Sequence, residues 1–449
     1  MVFRVCLSLG PPALGAKFCF KINKINLFVN SPMMWIHEGR YRAVFVWLGM
    51  LMANVALASD LTLGQALLLA ANEHPSVKAK LGELQAAVKD IDAARWGRFP
   101  SLSLQATSSQ GQPQAAMVLQ QPLWAGGRID AQIRLSEVTQ LQAEATLHET
   151  RQGLLLQTGS AFFEVLRLRA RRALALKNEQ EHKKLLEMMD RRVQTEISPV
   201  ADQTLARARL QQAISDRIQL DRAMQNALLA LDQLVGHLNG ALKPPARTSW
   251  PLPDEPQMLE AAKENSGELR RLNLQLHVAA AQIDLAQSGL WPALSLMHRR
   301  ALGGPGFVTQ TARNQTFLSL DMSPGAGLSA AAQVDAAKAR LDATRQAIDA
   351  YHRQLEQQVR NSIAEWQALQ EQHPSATALV QATQDVVASY LRQYQIGRKN
   401  WLDVLNALRE SVQAAYTATD IEYGMQSAQI RLMLYSGQLR LDNLDLIHD

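Results

Sequence analysis

The sequence predicts a mostly α-helical protein with a small β part, in which long antiparallel coiled-coil hairpins accompany two β-hairpins. Ala, Leu, Gln and Arg dominate long stretches and only 6% of the residues are aromatic, a composition typical of helices. The helical pattern between Gly127 and Pro199 contains no Pro and would form a rod about 100 Å long at 1.5 Å per residue. The chain also contains an internal two-fold sequence repeat.

The beginning of the chain has the pattern of an export signal. Arg40 and Arg42 precede the apolar stretch 43–51, and the tripeptide ALA at 56–58 supplies a small-x-small cleavage site before Ser59. The apolar stretch is shorter than the roughly 20 residues of a membrane-spanning helix. A buried core helix is the alternative, but the order basic, apolar, cleavage site favours a signal.

The predicted signal begins later in the chain than such signals normally do. We therefore interpret Met33 or Met34 as the true start, residues 1–32 as a mis-assigned extension and residues 33–58 as the signal peptide. N-terminal sequencing of the exported protein should begin near Ser59. Both cysteines precede that position, so the mature protein is expected to have no disulfide, no reactive thiol and no lipoprotein anchor.

The charge distribution argues against a nucleic-acid partner. The sequence pI of about 9.2 is high, but residues 1–58 contain six basic residues and a single acidic one. The remainder of the chain carries 40 residues of each sign and is therefore neutral. The electrostatic footprint of a nucleic-acid-binding protein is missing from it.

The repeat is visible in paired segments of the two halves. FPSLSL at 99–104 recurs as WPALSL at 291–296, 192 positions later, and GGRIDAQI at 126–133 matches GLSAAAQV at 327–334, 201 positions later. The second half has therefore gained about nine residues between these points, as exposed loops do. The predicted division is a first repeat (59–243), a Pro-rich linker (244–255), a second repeat (256–437) and a C-terminal tail (438–449).

Each half is expected to begin with a helix, followed by a β-hairpin. Apolar residues at helical spacing predict helices over about 61–96 and 256–289, each ending at a Pro. Alternating patterns then predict two pairs of strands, with turn-rich loops at Ser108–Pro113 and at Gly303–Gly306. The predicted strands cover about 101–107, 117–120, 293–297 and 317–320.

Two long helical rods follow the β-hairpin in each half. The first outgoing rod starts after Gly127 and its return is predicted over 205–237. The second starts near Ala330 and returns to Tyr435, with a kink or short break expected at His373-Pro374. Polar tips join the rods at 193–206 and 393–407. Asp202 and Asp403 occupy the same place in these tips, 201 residues apart, and helix N-capping is an alternative role for both.

Two β-hairpins per chain supply four strands, which cannot close a membrane barrel alone. Known barrels begin at about eight strands, because a spanning sheet must close to satisfy its backbone. Three chains together would supply about twelve strands, a number within the usual range. The alternative is that the hairpins are small soluble caps on a coiled-coil protein.

Several motifs in this order resemble the TolC-like outer-membrane channel family. They are LTLGQAL at 61–67, QPLWAGGR at 121–128, and Tyr394-x-x-Gly397 followed by DVL at 403–405. The resemblance implies a homotrimer with a shared 12-stranded β-barrel in outer-membrane lipid and an α-barrel tunnel across the periplasm of a Gram-negative bacterium. It also implies two partners, a periplasmic adaptor (membrane fusion) protein and an inner-membrane ABC or proton-driven pump.

The resemblance also implies a periplasmic gate at the tips. Tyr394 and Lys399 would bond near Asp202, and Asp403 would contribute to an acidic ring at the constriction. Asn406 stands where the family often has a second acid, which lowers the expected ring charge and cation selectivity. The expected adaptor-docking residues, among which Glu196 replaces a usual Gly and Pro199 stiffens the turn, are Glu196, Ile197, Ser198, Pro199, Gly397 and Arg398.

No catalytic, cofactor or metal site is predicted from the sequence. The His residues show no H-E-x-x-H spacing and no G-K-[ST] phosphate loop occurs, so we expect no enzyme. The basic run 167–172 is interpreted as a solvated or inter-helix ion-pair face. Trp96, Trp124 and Trp291 flank the hairpins, either as membrane-interface aromatics or as core.

The sequence thus predicts the passive exit duct of a tripartite export system. The residues Ile197-Ser198-Pro199 with Asp202 resemble channels of type I protein secretion, including adhesin exporters, and small-molecule efflux is the nearest other cargo class. A soluble periplasmic coiled-coil adaptor or scaffold is the alternative function.

Overall fold

The computed structural model describes residues 61–109, 112–236, 241–245, 253–302, 314–323 and 325–439. The predicted extension and signal peptide, the turn at Gly303–Gly306, and most of the linker and of the C-terminal tail lie outside these residues. Within the described ranges, no helix combines the length and the apolar character that crossing a bilayer requires.

Helices and strands occur in the same order in both halves of the chain. In chain order they are α1 (Leu63–Glu73), α2 (Pro75–Trp96), β1 (Ser101–Ser109), β2 (Gln112–Trp124), α3 (Arg128–Gln194), α4 (Val200–Val235), α5 (Glu255–Asn265), α6 (Gly267–Ser288), β3 (Ala293–Leu302), β4 (Gln315–Asp321), α7 (Ser329–Gln395) and α8 (Trp401–Ser436). The prediction of a mostly helical fold with two β-hairpins is confirmed.

The first helix of each half is broken in two, whereas the sequence predicted one continuous helix. Pro75 lacks a backbone N–H and therefore starts a new helix, and the His74 side chain accepts a hydrogen bond from Ser76 N–H. In the second half Ser266 caps the new helix at Leu269 N–H. A Cβ on the following Gly267 would lie 2.8 Å from a backbone atom of Glu149, so only glycine fits there.

The rods have the predicted length and form antiparallel pairs. Helices α3 and α7 contain 67 residues each, and α4 and α8 contain 36 residues each. The short break expected at His373-Pro374 is wrong, because α7 continues through Pro374. The carbonyl of Gln370, which Pro374 cannot bond, is on an exposed residue and remains open to water. Nearby, Leu369 packs against Gly424 of α8 and holds the helix to its partner.

The four strands form one antiparallel sheet in the order β1-β2-β3-β4. The loop predicted at Ser108–Pro113 is too long, because Ser108 pairs with Pro113 and Ser109 pairs with Gln112 in the ladder. Strands β2 and β3 join the two halves of the chain, with Leu119 opposite His298. Among the described strands, β1 and β4 are therefore edges with one side unpaired.

The sheet has two faces of opposite character. Ladder partners share a face, so one face, here called the leucine face, is mostly apolar and exposed; its apolar side chains include Leu102, Leu104, Met117, Leu119, Leu296, Leu318 and Leu320. The other face, here called the polar face, carries mainly Ser and Gln side chains together with buried Val118 and Ser295, and it also includes Met297 and Phe317. This alternation is typical of strands that separate lipid from water.

The main hydrophobic core lies where α1 packs against the middle of α3 and the end of α8. Phe162, Leu67 and Met433 are buried there. Beside it, Arg167 and Arg171 of α3 both pair with Asp420 of α8, which confirms an inter-helix ion-pair face in this basic run.

Candidate functional site: the paired helix tips

The two tips share two backbone hydrogen bonds that close the turn. At the first tip, Ile197 N–H donates to the Arg192 carbonyl at 2.8 Å, and at the second tip Arg398 N–H donates to the Gln393 carbonyl at 2.8 Å. In each tip a neighbouring bond closes the same turn, which is the Schellman ending of a helix. This ending requires a left-handed residue at the turn, and Gly397 supplies it with a φ of 75°.

The first tip fills the same backbone position with a residue that has a side chain. Glu196 has a φ of 59°, and it is the one non-glycine residue with positive φ in the described part of the chain. An L-residue in this conformation costs about 1–2 kcal/mol, because its Cβ approaches the following carbonyl. The first tip therefore keeps the same turn although Glu replaces Gly, and the Glu196 backbone is strained as a result.

The return helices begin without side-chain caps. Pro199 and Asn400 are the N-cap residues, and neither makes a side-chain cap hydrogen bond. Asp202 and Asp403 lie in the first turn, three residues later, so the alternative that they are N-caps is wrong. At that position each carboxylate still interacts favourably with the positive end of the helix dipole.

The end regions of the two helical hairpins share one hydrophobic cluster, here called the tip core. It contains buried residues of α3, α4, α7 and α8, namely Leu185, Met189, Ala206, Tyr394, Trp401, Val404, Leu405 and Leu408. The rings of Tyr394 and Trp401 lie 5.3 Å apart. The buried indole N–H of Trp401 has no hydrogen-bond partner in the described structure, so this ring stabilises the cluster by packing alone.

Tyr394 connects the second hairpin to the first. Its side chain is buried, and its hydroxyl lies 3.3 Å from the Ser198 hydroxyl and 3.8 Å from the Met189 sulfur. The Arg192 guanidinium lies 4.9 Å from the centre of the Tyr394 ring and donates from Nε to Ser198 Oγ at 3.1 Å. The structure therefore brings together one predicted gate residue and one predicted docking residue.

Lys399 makes its contacts within the second hairpin. Its ammonium lies 3.6 Å from the Asp403 carboxylate, in the same tip, and 4.2 Å from the centre of the Tyr390 ring. Within the described residues of one chain, neither Tyr394 nor Lys399 bonds to the Asp202 carboxylate, so their pairing near Asp202 in the assembled channel stays a prediction. Asn406 is half-buried beside the tip core.

The remaining predicted tip residues face solvent. Ile197 is 64% exposed, and Pro199, Gly397 and Arg398 are exposed as well. Ile396 is an additional apolar side chain at this end, with 67% of its surface exposed. Exposed isoleucines at both tips provide apolar area that a docking partner can cover.

Sequence reasoning missed residues that hold the site together. Arg192 and Met189 contact Tyr394 from about 200 positions away, and no local pattern indicates such a contact. Trp401 was detectable, because it begins the apolar spacing 401, 404, 405, 408 that forms the buried face of α8.

Comparisons of sequence and of structure with known proteins both identify outer-membrane channels as similar to this chain. The chain matches the family described as outer membrane efflux protein over residues 66–237 and 258–438. Outer membrane protein TolC of Vibrio cholerae serotype O1 is 25% identical over 162 residues, which cover 34% of this chain and 36% of that relative. The chain thus matches about a third of that relative's length.

Solved structures share the fold at low sequence identity. The Campylobacter jejuni CmeC outer membrane channel superimposes with a TM-score of 0.72 at 15% identity, covering 84% of this chain and 85% of that chain. The outer-membrane channel OprN gives 0.71 at 19% identity, with 84% and 89% covered. VceC from Vibrio cholerae gives 0.70 at 18% identity, with 84% and 96% covered.

Proposed function

Because this chain belongs to the outer membrane efflux protein family, we propose that it is the passive exit duct of a tripartite export system. The family consists of outer-membrane channels rather than enzymes, and its helical tunnel lies in the periplasm. The observation that carries the proposal is a four-stranded sheet with one leucine face and two unpaired edges, joined to rods about 100 Å long.

The unpaired edges support a homotrimer. In a bilayer, each N–H and C=O group left without a partner on β1 or β4 would cost several kcal/mol. Pairing β1 of one copy with β4 of the next satisfies both edges, and three copies close a barrel of about twelve strands. The leucine face would then contact lipid, and the polar face would line the water-filled lumen.

The tips support a gate at the periplasmic end. Tyr394, Ser198 and Arg192 link the two hairpins through a small number of contacts that a partner can replace. Three copies of Asp403 around one axis would repel one another and favour cations over anions. Asn406 adds no charge, so we expect this ring to select cations weakly.

Exposed apolar and charged residues at the tips support docking of a periplasmic adaptor protein, which would connect the channel to an inner-membrane pump. Ile197 and Ile396 supply apolar area, and Arg398 supplies a charge at the same end. The first-tip residues Ile197-Ser198-Pro199 with Asp202 favour type I protein secretion as the cargo class. An ABC transporter would be the matching pump, and a proton-driven pump would match small-molecule efflux.

The assembly is testable with cysteine pairs, since the exported chain is expected to contain no native cysteine. We expect Ser103→Cys with Ser319→Cys, on β1 and β4, to give covalent trimers of an outer-membrane fraction after treatment with a flexible bismaleimide. Ser103→Cys alone is the control and should stay monomeric on denaturing gels. Release of monomers by osmotic shock, without cross-linking, would instead support the soluble coiled-coil alternative.

The cargo class is testable through the docked pump. A photo-cross-linking residue placed at exposed Ile197 should capture the adaptor in cells, and the same residue at Ile218, in the middle of α4, is the control. Co-purification of the captured adaptor with an ABC transporter supports protein secretion. Co-purification with a proton-driven pump would overturn the assignment of cargo and leave the duct itself intact.

A further inference from the structure

The leucine face of the sheet carries an arginine and a histidine in its outer part. Arg300 lies opposite Met117, and His298 lies opposite Leu119 and Thr316, so both belong to the leucine face. The neighbouring Arg299 lies opposite Val118 and Gln315 and belongs to the polar face. A guanidinium on the lipid side of a barrel wall is costly unless it is close to a membrane interface.

The exposed aromatic residues locate the inner interface. Trp291 precedes β3 and is 61% exposed, and Trp96, Phe99 and Trp124 are also exposed at this end of the sheet. Of the two interpretations of these tryptophans, core packing is therefore wrong for the single chain. Aromatic side chains of this kind form girdles at the borders of the apolar band.

The position of Arg300 along the strand places it near the opposite interface. At a rise of about 3.3 Å per residue and a tilt of about 40°, Arg300 lies roughly 23 Å from Trp291 along the membrane normal. Measured from Trp124, which pairs with Leu294, the separation is about 15 Å. In an apolar band about 25 Å tall, both values place Arg300 in its outer half, where a long side chain can extend to the headgroups.

The electrostatic surroundings of Arg300 favour an anion. Its side chain is exposed, and no acidic residue occupies a leucine-face position in the described strands. Within the described residues it has neither an ion pair nor a hydrogen-bond partner. The five N–H donors of a guanidinium match the oxygens of a phosphate in a bidentate arrangement.

His298 supplies a second donor on the same face. Two residues separate it from Arg300, which corresponds to about 7 Å along the strand. The His298 Nδ1 atom lies 2.8 Å from the Thr316 hydroxyl, which fixes the ring against β4. The other ring nitrogen, Nε2, has no hydrogen-bond partner among the described residues, so one phosphate group can reach both side chains.

We propose that Arg300 and His298 form a binding site for the phosphate of an outer-leaflet lipid headgroup. The site goes beyond the proposed export function and rests on it in one respect, that the leucine face contacts lipid. It would anchor the barrel wall at a fixed depth, because the charge cannot move into the apolar band without a large cost.

The test uses the purified, delipidated trimer and native mass spectrometry. The probe is bisphosphorylated lipid A, and the comparison probe is the same lipid with both phosphates removed. We expect Arg300→Gln to weaken binding of the phosphorylated probe about tenfold, as loss of a charged hydrogen bond implies, and His298→Gln to weaken it less. Arg300→Lys keeps the charge and should retain most of the binding.

Arg299→Gln is the matched control, since it removes the same charge from the adjacent residue on the opposite face. It should leave binding within about twofold of wild type, well below the effect of a lost charged hydrogen bond. Equal losses from Arg299→Gln and Arg300→Gln, or equal binding of the dephosphorylated lipid, would overturn the proposal. Complete competition by millimolar inorganic phosphate would show a free-anion site instead of a lipid site and would also overturn it.

The failure of this proposal is distinguishable from failure of the channel proposal. If the wild-type chain gives no trimer in the outer-membrane fraction, the export duct itself is wrong. If the trimer forms and its lipid binding does not depend on phosphate, only the headgroup site is wrong. Should Arg300→Gln fail to assemble, the comparison of Arg300→Lys, His298→Gln and Arg299→Gln still decides the question.

Discussion

The first tip and the second tip make identical turn hydrogen bonds from positions 201 residues apart, yet the helices that follow them are packed differently. Trp401, the first residue of α8, is 3% exposed, whereas Val200, the first residue of α4, is 64% exposed. The second tip is thus anchored by its own side chains in the tip core. The first tip contributes Ser198 and Arg192 to that core's margin. It keeps the side chains of Ile197 and Val200 on the surface.

This difference leads us to assign different roles to the two tips, closure to the second tip and docking to the first, although their backbones are alike. In the proposed gate, a tip that buries Trp401 and Tyr394 would resist opening, because moving it exposes a large apolar area. A tip that exposes Ile197 and Val200 has surface available for a partner. Repeating the turn while changing the side chains allows closure and docking to evolve separately.

The largest expected effect comes from removing the anchor of the second tip. Trp401→Ala should destabilise local packing by about 3–5 kcal/mol, the usual cost of deleting a large buried ring. Val200→Ala, at the equivalent position of the first tip, should cost less than about 0.5 kcal/mol, as exposed sites do. Hydrogen exchange of the first turns of α8 and α4 measures both values. Similar losses at the two sites would remove the proposed asymmetry.

The next effect concerns the contacts of the proposed gate. Tyr394→Phe with Lys399→Ala removes the hydroxyl contact to Ser198 and the exposed pair with Asp403. Together these changes are worth about 1–1.5 kcal/mol, so open probability in planar bilayers should rise about five- to tenfold. Lys184→Ala, which breaks an exposed pair within α3, is the control and should not change conductance. Unchanged conductance in the double variant would exclude both residues from the gate.

Substitutions of the two turn residues are expected to have smaller effects, which change the stability of the two turns in opposite directions. Glu196→Gly should stabilise the first turn by about 1 kcal/mol by removing the left-handed strain, and Gly397→Ala should destabilise the second turn by a similar amount. A Cβ on Gly397 would meet no atom within 4 Å, so its cost is conformational alone. Exchange of the Ile197 and Arg398 amides should change about fivefold in opposite directions.

Glu196→Ala separates strain from charge at the first turn. It keeps a side chain in the left-handed conformation, so it should leave exchange of the Ile197 amide unchanged. A slowing as large as that of Glu196→Gly would mean that the carboxylate, rather than the backbone, destabilises this tip.

The smallest effect is a pH dependence confined to the first hairpin. Burial, followed by the charge of Arg209, lowers the pKa of His182 below its ordinary value of 6.5. The unfolded chain therefore takes up this proton more readily, so stability is complete above pH 6.5 and falls as the pH drops towards the folded pKa. Hydrogen exchange of α3 near His182 should accelerate below pH 6.5, and His182→Gln should remove the change. The second hairpin, with Thr383 at the equivalent position, should not respond.

Two His-Pro pairs show how far the sequence predicts this fold. At His74-Pro75 the helix ends and a new one begins, with Pro75 in its first turn. At His373-Pro374 the same dipeptide lies inside an uninterrupted helix of 67 residues. The local chemistry is identical, so the outcome depends on the long antiparallel contact between α7 and α8, which a single sequence does not display.

The candidate site also has features that local sequence predicts and features that depend on contacts between distant segments. The polar tips and the positions of the two Asp residues in them follow from residues adjacent in the chain, and those were predictable. The contacts of Tyr394 with Ser198, Met189 and Arg192 join segments about 200 residues apart, so they depend on how the two hairpins pack. The break between helices at Ser266-Gly267 was missed for a similar reason, because only the close approach of Glu149 explains the glycine.

The pairing of β2 with β3 has a consequence for biogenesis. Leu119 meets His298 across the sheet, so the first β-hairpin reaches the periplasm long before the strand that completes it. During that interval an apolar hairpin with open edges is exposed to water, a state prone to aggregation. Closing such a long loop is slow compared with local helix formation. We expect a holding chaperone to bind this hairpin until the second half of the chain has been exported.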